Sequence, residues 1–470
     1  MAAEGNSAGV LRAEQTAALR SVPDLGEGRP RPEARADSVA RWLGWGGLVL
    51  LAATGRLWTP QQVFPRIPLW WWAPPAAWDW SALALTVCGL ALLGIAPRRF
   101  AAGMASTGLA ALFLADQHRL QPWAWQLFVL TAMGALGGGR LLVGGARWLT
   151  ISIYAWSALS KCDAAFSDLI RPLVMAPVQL WIPKWDAALR HSLLLDVAVD
   201  CVVWSLPAGE LAVAVLLARR PWRTAGLYAS WFLHVCLLGL LGPFGQGHSL
   251  GVVWWNLWFI GQNYLLFWPR WRWSSRWFAE LADTSLAVWR RRLAGALLAG
   301  VLVWPSTEPW GYCDAWLGWA VYVPRFDRVT VWLDQAARER LPPALQAYVA
   351  VPDAWFLAPE DAVVQYRIGA WSLAALGVPA YPHPRSSVGT ALELAERYGL
   401  EGISVVWSRR TSRFERWSWD RQATDRRVAD RRATTVVVGR SELARLAGEF
   451  RVNAFPESWY RRVAEGPPAQ

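Results

Sequence analysis

The sequence predicts an all-α bundle of membrane-spanning helices, about nine in number, followed by a small soluble α/β domain. Its 470 residues are 54% hydrophobic and 17% charged, whereas soluble proteins carry roughly a quarter charged residues. The chain also contains 36 tryptophans, and tryptophan concentrates at membrane interfaces because its apolar ring carries one polar N–H group. These observations exclude a disordered, collagen-like or disulfide-rich chain and argue against a purely soluble enzyme.

The apolar segments define the predicted bundle, which covers residues 41–304. Residues 1–40, rich in Ala, Arg, Glu and Gly, predict a disordered cytoplasmic N-terminus. A spanning helix needs about 20 apolar residues. The candidate spans are 42–58, 80–96, 100–115, 124–138, 147–162, 193–218, 222–243, 249–268 and 293–304. Two amphipathic segments, 60–80 and 164–191, are predicted to lie along the outer membrane surface.

The arginines between the apolar segments predict the orientation, because cytoplasmic loops carry an excess of positive charge. With a cytoplasmic N-terminus, the inner loops together carry more basic residues than the outer loops, which contain Arg56, Arg66, Arg119, Arg171, Lys184 and Arg190. The inner groups are Arg98, Arg99, Arg140, Arg147, Arg219, Arg220, Arg223, Arg270, Arg272, Arg276 and Arg290 to Arg292. The predicted location is a bacterial inner (cell) membrane, with membrane lipid as the first partner and the C-terminal domain outside the cytoplasm.

The C-terminal region has the composition of a soluble domain. A linker is predicted at 305–324 and an α/β domain at 325–470, with candidate strands at 329–333, 403–408 and 434–438 and candidate helices at 335–348, 387–398 and 440–450. The arginine-rich stretch 409–432 has two interpretations. It is either a patch for anionic lipid or nucleic acid, or an exposed loop balanced by its own carboxylates. The second is favoured, and no nucleic-acid partner is predicted.

The five cysteines are scattered and form no CxxC pair, so the pattern supports neither a zinc ribbon nor a dithiol centre. Metal ligands are not predicted either, because His118 and His248 lack ligand spacing with any carboxylate.

Ionisable side chains within apolar segments are costly and are therefore candidate site residues. At 100° per residue, Tyr154, Ser157 and Lys161 share one helix face. Only two of the 47 basic residues are lysines, Lys161 and Lys184. Because a partly desolvated lysine can lose its proton whereas arginine does not, Lys161 is a candidate base. The alternative is a lysine that extends to the interface or pairs with Asp163.

The sixth apolar segment carries three carboxylates, Asp196, Asp200 and Glu210, within one arc of about 80°. The first two are expected at the depth of Lys161, where they could pair with it. Glu210 is predicted to pair with His234 of the seventh segment. The alternative interpretation is that these charges only fasten helices together.

Two further polar groups are expected at the same outer side. One comprises Asp116, His118 and Arg119 after the third segment, and the other comprises His248 and Asn256 around the start of the eighth. Together with Lys161 and Asp200 they predict one site that opens outward.

Several stretches resemble the HTTM domain, the membrane module of the vitamin K-dependent gamma-carboxylase superfamily and of its DoxX/MauE-like bacterial relatives. The resemblance covers about 100–268 and rests on Tyr154 to Asp163 with Phe166, on Pro207 and Glu210, on Trp231-Phe232-Leu233-His234, and on Gly242-Pro243, His248-Ser249 and Trp255-Asn256. It implies that Lys161 is the base that deprotonates a reduced quinone and that His234 belongs to the site. The chain lacks the large lumenal region of the carboxylases and the CxxC pair of MauE-like proteins.

Two function hypotheses follow. In the first, a quinone or lipid-like ligand binds at Lys161 and Tyr154, with Asp200, His234 and His248 as catalytic support and Asp116, His118, Arg119, Glu210 and Asn256 as binding residues. In the second, the chain is a non-catalytic membrane scaffold whose C-terminal domain binds a protein partner. A transporter fits less well, because neither an inverted repeat nor a discontinuous helix is evident.

Overall fold

A computed structural model describes most of the chain. The described residues are 32–60, 63–69, 74–163, 165–181, 193–243, 245–269, 287–310, 312–323, 327–350, 364–408 and 434–449. The predictions for residues 1–31 and for the arginine-rich stretch 409–432 lie outside these ranges, as does the side chain of Asp196.

The N-terminal two thirds form a helical bundle, in agreement with the predicted class. Its helices are α1 (Pro32–Ala53), α2 (Gly55–Trp58), α3 (Ala76–Ile95), α4 (Arg99–Ala115), α5 (Pro122–Ser160), α6 (Ala165–Trp181), α7 (Leu193–Ala218), α8 (Arg223–Leu241), α9 (Leu250–Phe267) and α10 (Val288–Val303). Helix α1 includes residues 32–40, which were predicted to be disordered. Its start is stabilised because Ala36, Val39 and Ala40 are buried against the bundle.

Helix α5 is a hairpin of two helices rather than one long rod. Gly138 has φ 68°, which interrupts the helix, and only glycine adopts this conformation without steric cost. Gln262 donates to Thr150 and also bonds Gln126, which would be roughly 36 Å apart in a straight helix. The structure therefore confirms that 124–138 and 147–162 belong to separate helices.

Among the described residues, each of the nine apolar segments coincides with a helix. Four helices are long and apolar enough to cross a membrane, namely Ala76–Ile95, Pro122–Ser160, Val197–Ala218 and Arg220–Leu241. The predicted count of nine spans is not confirmed, because the other helices are shorter or less apolar.

Successive helices of the bundle run in opposite directions, so the connections between them lie alternately at its two ends. At one end, Arg35 and Arg147 donate to the carbonyl groups of Leu265 and Leu266. Arg98, Arg99, Arg140 and Arg219 lie at the same end, which we call the arginine end. At the other end Trp156 donates to the carbonyl of Leu302.

The C-terminal domain is a five-stranded antiparallel sheet with helices packed on it. Its strands are β1 (Arg328–Leu333), β2 (Val349–Ala350), β3 (Val364–Tyr366), β4 (Ile403–Ser408) and β5 (Thr434–Val438), in the order β2-β3-β1-β4-β5. Its helices are α11 (Gln335–Arg340), α12 (Pro343–Gln346), α13 (Ile368–Leu376), α14 (Pro384–Tyr398) and α15 (Arg440–Glu449). Three strands and the last two helices match the predicted positions.

Two local predictions for this domain are wrong. The helix predicted at 335–348 is broken into α11 and α12, because Pro342 and Pro343 cannot continue a helix. Helix α14 begins three residues before the predicted cap Ser387, and the side chain of His383 accepts a hydrogen bond from the N–H of Arg385 instead.

The sheet domain lies directly on the bundle end opposite the arginine end, which we call the domain end. Buried apolar residues of the bundle and of the domain belong to one continuous core. Phe64 and Trp371 are in contact across the junction, with ring centroids 4.6 Å apart. The predicted linker 305–324 is packed as well, since the side chain of Trp319 is fully buried.

Candidate functional site

A cavity of about 360 Å³ lies at the domain end, between the bundle and the C-terminal domain. The second half of α5 and helices α6, α7, α8 and α9 form its walls. Residues 316–323 and the loop around Pro379 to Pro382 form its roof. Most lining side chains are apolar, and the ionisable or polar ones are Tyr154, Ser157, Lys161, Glu210, His234, His248 and Asn256, with Gln121 and Tyr322 nearer the roof.

A buried ion pair joins two helices at the cavity wall. Lys161 follows the last residue of α5, and its Nζ lies 2.8 and 2.7 Å from the two carboxylate oxygens of Glu210 on α7. The ammonium also donates to Ser157 Oγ at 2.5 Å, and Ser157 donates to Glu210 Oε1 at 3.2 Å. The exposed fractions of the two charged side chains are only 6% and 13%. The two charges therefore lie outside bulk water, where each is stabilised by the other.

The predicted partners of Lys161 are wrong in one respect, because Asp200 does not reach it. Asp200 accepts hydrogen bonds from Arg171 Nη2 at 2.9 Å and from Ser167 Oγ at 2.8 Å, both on α6. Ten residues separate Asp200 from Glu210, which turns the two carboxylates about 80° apart on the helix. One edge of this arc faces α6 and the other faces α5, so Asp200 lies outside the cavity lining.

A second polar chain lies deeper along α5. Tyr154 Oη is 2.6 Å from His234 Nε2 and accepts a hydrogen bond from Asn263 Nδ2 at 2.8 Å. His234 Nδ1 is 2.9 Å from Asn256 Oδ1, while Asn256 Nδ2 donates to the carbonyl of Val252. Since Asn256 Oδ1 is an acceptor, Nδ1 of His234 carries the proton and Nε2 accepts from the tyrosine hydroxyl.

These contacts correct the predicted pairing of His234 with Glu210. The histidine instead joins α8 to α5 and α9 through neutral hydrogen bonds. A neutral imidazole with one donor and one acceptor satisfies both neighbours without a buried charge. The glutamate is then available for the only lysine among the described residues.

His248 lies at the cavity rim, between α8 and α9. Its Nδ1 accepts a hydrogen bond from the N–H of Ser249 at 2.8 Å, and its ring lies 6.1 Å from that of Tyr322 in the roof. Burial lowers the pKa of His248 below its ordinary value, because the charged form is poorly solvated there. His248 is thus a largely neutral residue at neutral pH.

The roof contains two strained residues. Trp319 and Tyr322 have φ values of 62° and 59°, in the left-handed region that bulky side chains rarely occupy. The loop is held because Asp314 accepts a hydrogen bond from Tyr381 Oη at 2.7 Å and is paired with Arg385 of the sheet domain. Strained residues of this kind cluster at ligand sites. Nothing in the sequence around 319 and 322 predicted this role.

The predicted binding residues Asp116, His118 and Arg119 lie outside the cavity. Arg119 is fully buried and forms an ion pair with Asp79. His118 bonds Asp116 through Nδ1 at 3.0 Å and Ser386 of α14 through Nε2 at 3.2 Å. The three residues therefore do not form one open site with Lys161. His118 connects the bundle to the C-terminal domain and Asp116 holds His118, whereas Arg119 bonds to residues of the bundle.

The charge of Asp116 is consistent with its role in holding His118 in place. Burial raises the pKa of this carboxyl, but the hydrogen bonds and positive charges of His118 and Arg119 outweigh burial and bring the pKa below its ordinary value. Asp116 is therefore ionised at neutral pH and holds its neighbours through charge-assisted hydrogen bonds.

Of the ten predicted site residues, six line the cavity. They are Tyr154, Lys161, Glu210, His234, His248 and Asn256. Within the described ranges, no group of three or more His, Cys, Asp and Glu side chains is placed to hold a metal ion. The bundle, the roof and the two polar groups together define a helical protein with a capped apolar cavity that contains a buried ion pair. Comparison with known protein families, curated proteins and solved structures found no match.

Proposed function

We propose that the chain is a multi-pass membrane protein that binds a quinone-like or lipid-like ligand in the capped cavity and transfers a proton at the Lys161–Glu210 pair. The observation that carries the proposal is the combination of an apolar cavity with this one buried ion pair in its wall. Ligand sites of this kind are mostly apolar, with a few convergent polar groups that orient the ligand.

The proposed topology has nine spans, a cytoplasmic arginine end and the sheet domain outside. Alternation of helix direction supports it, as does the position of Arg98, Arg99, Arg140 and Arg219 at one end of the bundle. The shortest helices are accommodated if the bilayer thins locally around them. In a bacterial cell this membrane is the inner membrane.

The Lys161–Glu210 pair can deprotonate a ligand hydroxyl through two proton transfers. A proton that moves from the Lys161 ammonium to the Glu210 carboxylate leaves a neutral amine, and the amine accepts the proton of the hydroxyl. The result is a ligand oxyanion, a protonated Glu210 and a Lys161 ammonium beside the oxyanion. Such positioned charges stabilise a developing anion strongly because little water screens them.

Tyr154 forms the deeper polar contact of the proposed site. It precedes Lys161 by seven residues, or about 10 Å along the helix, and its hydroxyl is held by His234 and Asn263. A ligand with polar atoms at one end and an apolar body is therefore oriented by Lys161 at the rim side and by apolar contacts elsewhere.

Binding of decylubiquinol to the detergent-solubilised chain tests the proposal. Removing one partner of a buried pair leaves an uncompensated charge and lowers stability. The decisive variant therefore replaces both partners, as in Lys161→Met with Glu210→Met. We expect this double variant to keep the thermal unfolding temperature of the wild type within a few degrees and to lose binding by at least about tenfold.

Asp200→Asn is the matched control, because it removes a carboxylate of the same helix that does not line the cavity. It is expected to bind decylubiquinol like the wild type. Equal loss in both variants, or unchanged binding in the double variant, would contradict the proposal. Absence of binding in the wild type would favour the alternative, a non-catalytic scaffold whose C-terminal domain binds a protein partner.

A further inference from the structure

A second cavity lies at the arginine end, far from the first. Its volume is about 610 Å³, and it is enclosed by the start of α1, the end of α3, the start of α4 and the turn of the α5 hairpin. Four leucines contribute to its wall, and three arginines and one carboxylate stand around it. These residues are Leu43, Leu93, Leu130 and Leu142 in the wall, with Arg98, Arg99, Arg140 and Asp37.

The net charge of the residues that line this cavity is positive. Among the residues that the structure describes, no carboxylate lies within ion-pair distance of Arg98, Arg99 or Arg140. In contrast, Arg119 at the domain end is paired with Asp79. Three guanidinium groups against the single carboxylate of Asp37 leave the donors available to an anion. Guanidinium groups match the geometry of phosphate oxygens with paired hydrogen bonds.

The turn of the α5 hairpin leaves space for one of these arginines. A Cβ atom on Gly138 would lie 2.8 Å from Nε of Arg99 and 3.1 Å from its Nη2. The guanidinium group therefore lies against the bare backbone of the turn. Glycine at this position serves two purposes, since it adopts the positive φ of the turn and leaves the space that Arg99 occupies.

We propose that this cavity binds the phosphate group of an anionic membrane lipid. Arg98, Arg99 and Arg140 hold the phosphate at the membrane surface, and the leucine wall accepts the start of an acyl chain. The apolar wall favours a lipid over free phosphate, which gains nothing from such a surface. Basic pockets between helices on the cytoplasmic side bind anionic headgroups in this manner. The inference requires only that the bundle lies in a membrane, and it is independent of a ligand in the first cavity.

Native mass spectrometry of the full chain in detergent provides the test. The probes are phosphatidylglycerol, phosphatidylcholine and inorganic phosphate, each titrated separately. We expect phosphatidylglycerol to bind at least about tenfold more tightly than phosphatidylcholine. The variant Arg98→Gln, Arg99→Gln, Arg140→Gln is expected to abolish this preference. Gly138→Ala is expected to weaken it by about threefold or more, because the added methyl group displaces Arg99 and strains the turn that borders the cavity.

The control variant is Arg290→Gln, Arg291→Gln, Arg292→Gln, which removes the same charge from α10 at the same end of the bundle without altering the cavity lining. It is expected to keep the preference for phosphatidylglycerol. Equal losses in the two triple variants would mean that only diffuse surface charge attracts the lipid, and would overturn the proposal. Displacement of phosphatidylglycerol by inorganic phosphate at equal concentration would assign the site to the free anion and would also overturn it. Decylubiquinol binding is expected to be unchanged in both triple variants, so the outcome of the lipid test does not depend on whether the first cavity binds a quinone.

Discussion

Two polar clusters at the domain end of the bundle use the same residue types for different purposes. The first, Lys161 with Glu210, lines an open apolar cavity. The second, Arg119 with Asp79, is sealed, and neither side chain is exposed to solvent. The comparison shows that a buried ion pair in this bundle is a candidate site only where unfilled space adjoins it. Substitutions in the two clusters are expected to differ in how far they lower the free energy of unfolding and in whether they weaken ligand binding.

The largest loss of stability is expected from the sealed cluster. Arg119→Met leaves the carboxylate of Asp79 with only the partly exposed Arg66 as an ionic partner, and it should lower the free energy of unfolding by about 3–5 kcal/mol. Lys161→Met should cost less, about 1–3 kcal/mol, because Glu210 keeps the hydrogen bond from Ser157 and is 13% exposed, whereas Asp79 is fully buried. Unfolding by sodium dodecyl sulfate titration in mixed micelles measures both.

The surface pair Arg397 and Glu393 provides the reference for this comparison, since Glu393→Gln is expected to cost at most about 0.5 kcal/mol. If Lys161→Met proved as destabilising as Arg119→Met, the Lys161–Glu210 pair would be a sealed structural pair like the other.

A smaller loss is expected at the deeper polar chain. Tyr154→Phe removes the hydroxyl that accepts from Asn263 and bonds His234, and it should lower the free energy of unfolding by about 1–2 kcal/mol. The same detergent titration measures it. Tyr264→Phe is the control, because the hydroxyl of this half-exposed residue makes no hydrogen bond among the described residues. Equal effects in the two variants would mean that the Tyr154 hydrogen bonds contribute no net stability.

The junction between the domain and the bundle should be sensitive to a single hydroxyl group. Ser386→Ala removes the contact with His118 Nε2 and is expected to weaken docking by about 0.5–1.5 kcal/mol. Limited proteolysis should then cleave the C-terminal domain about two- to tenfold faster than in the wild type. An unchanged cleavage rate would show that this hydrogen bond does not contribute to docking.

The smallest effect is a pH dependence at the cavity rim. The pKa of His248 is lower in the folded protein than its ordinary value of 6.5, so the unfolded chain binds a proton more readily. Well above pH 6.5 the group is neutral in both states and contributes nothing to the pH dependence. As the pH falls below 6.5, it lowers the free energy of unfolding. His248→Gln should remove this part of the pH dependence between pH 6.5 and 5, as measured by thermal unfolding, and an unaltered profile would contradict it.

The sequence predicted the bundle better than the site, for identifiable physical reasons. Apolar segments and arginine distribution are local signals, so the sequence predicted helices at the nine apolar segments and their alternating order, within the described residues. The predicted pairing of Lys161 with Asp200 was wrong. Helical angles place Asp200 and Glu210 in one arc, but they do not reveal which neighbouring helix lies at each edge of that arc. Asp116, His118 and Arg119 were expected beside Lys161 but lie outside the cavity, and the sequence does not show that His118 contacts Ser386 of α14 instead.

The role of 305–324 illustrates the same limit. The sequence predicted a linker there, yet Trp319 and Tyr322 form the roof of the cavity in left-handed conformations. Such a placement depends on contacts between Asp314 and residues more than sixty positions away. No local pattern encodes a contact over that separation, so only the folded structure reveals it.

Photolabelling with an azido derivative of a short-tail ubiquinone would test most directly whether the capped cavity is the binding site. The label is mapped by mass spectrometry, with and without excess decylubiquinol as competitor. The expected result is labelling of peptides that contain Lys161, Glu210 or His234, suppressed by the competitor and absent from the Lys161→Met, Glu210→Met double variant. Labelling spread over lipid-facing helices, insensitive to the competitor and unchanged in the double variant, would contradict a ligand site in the cavity.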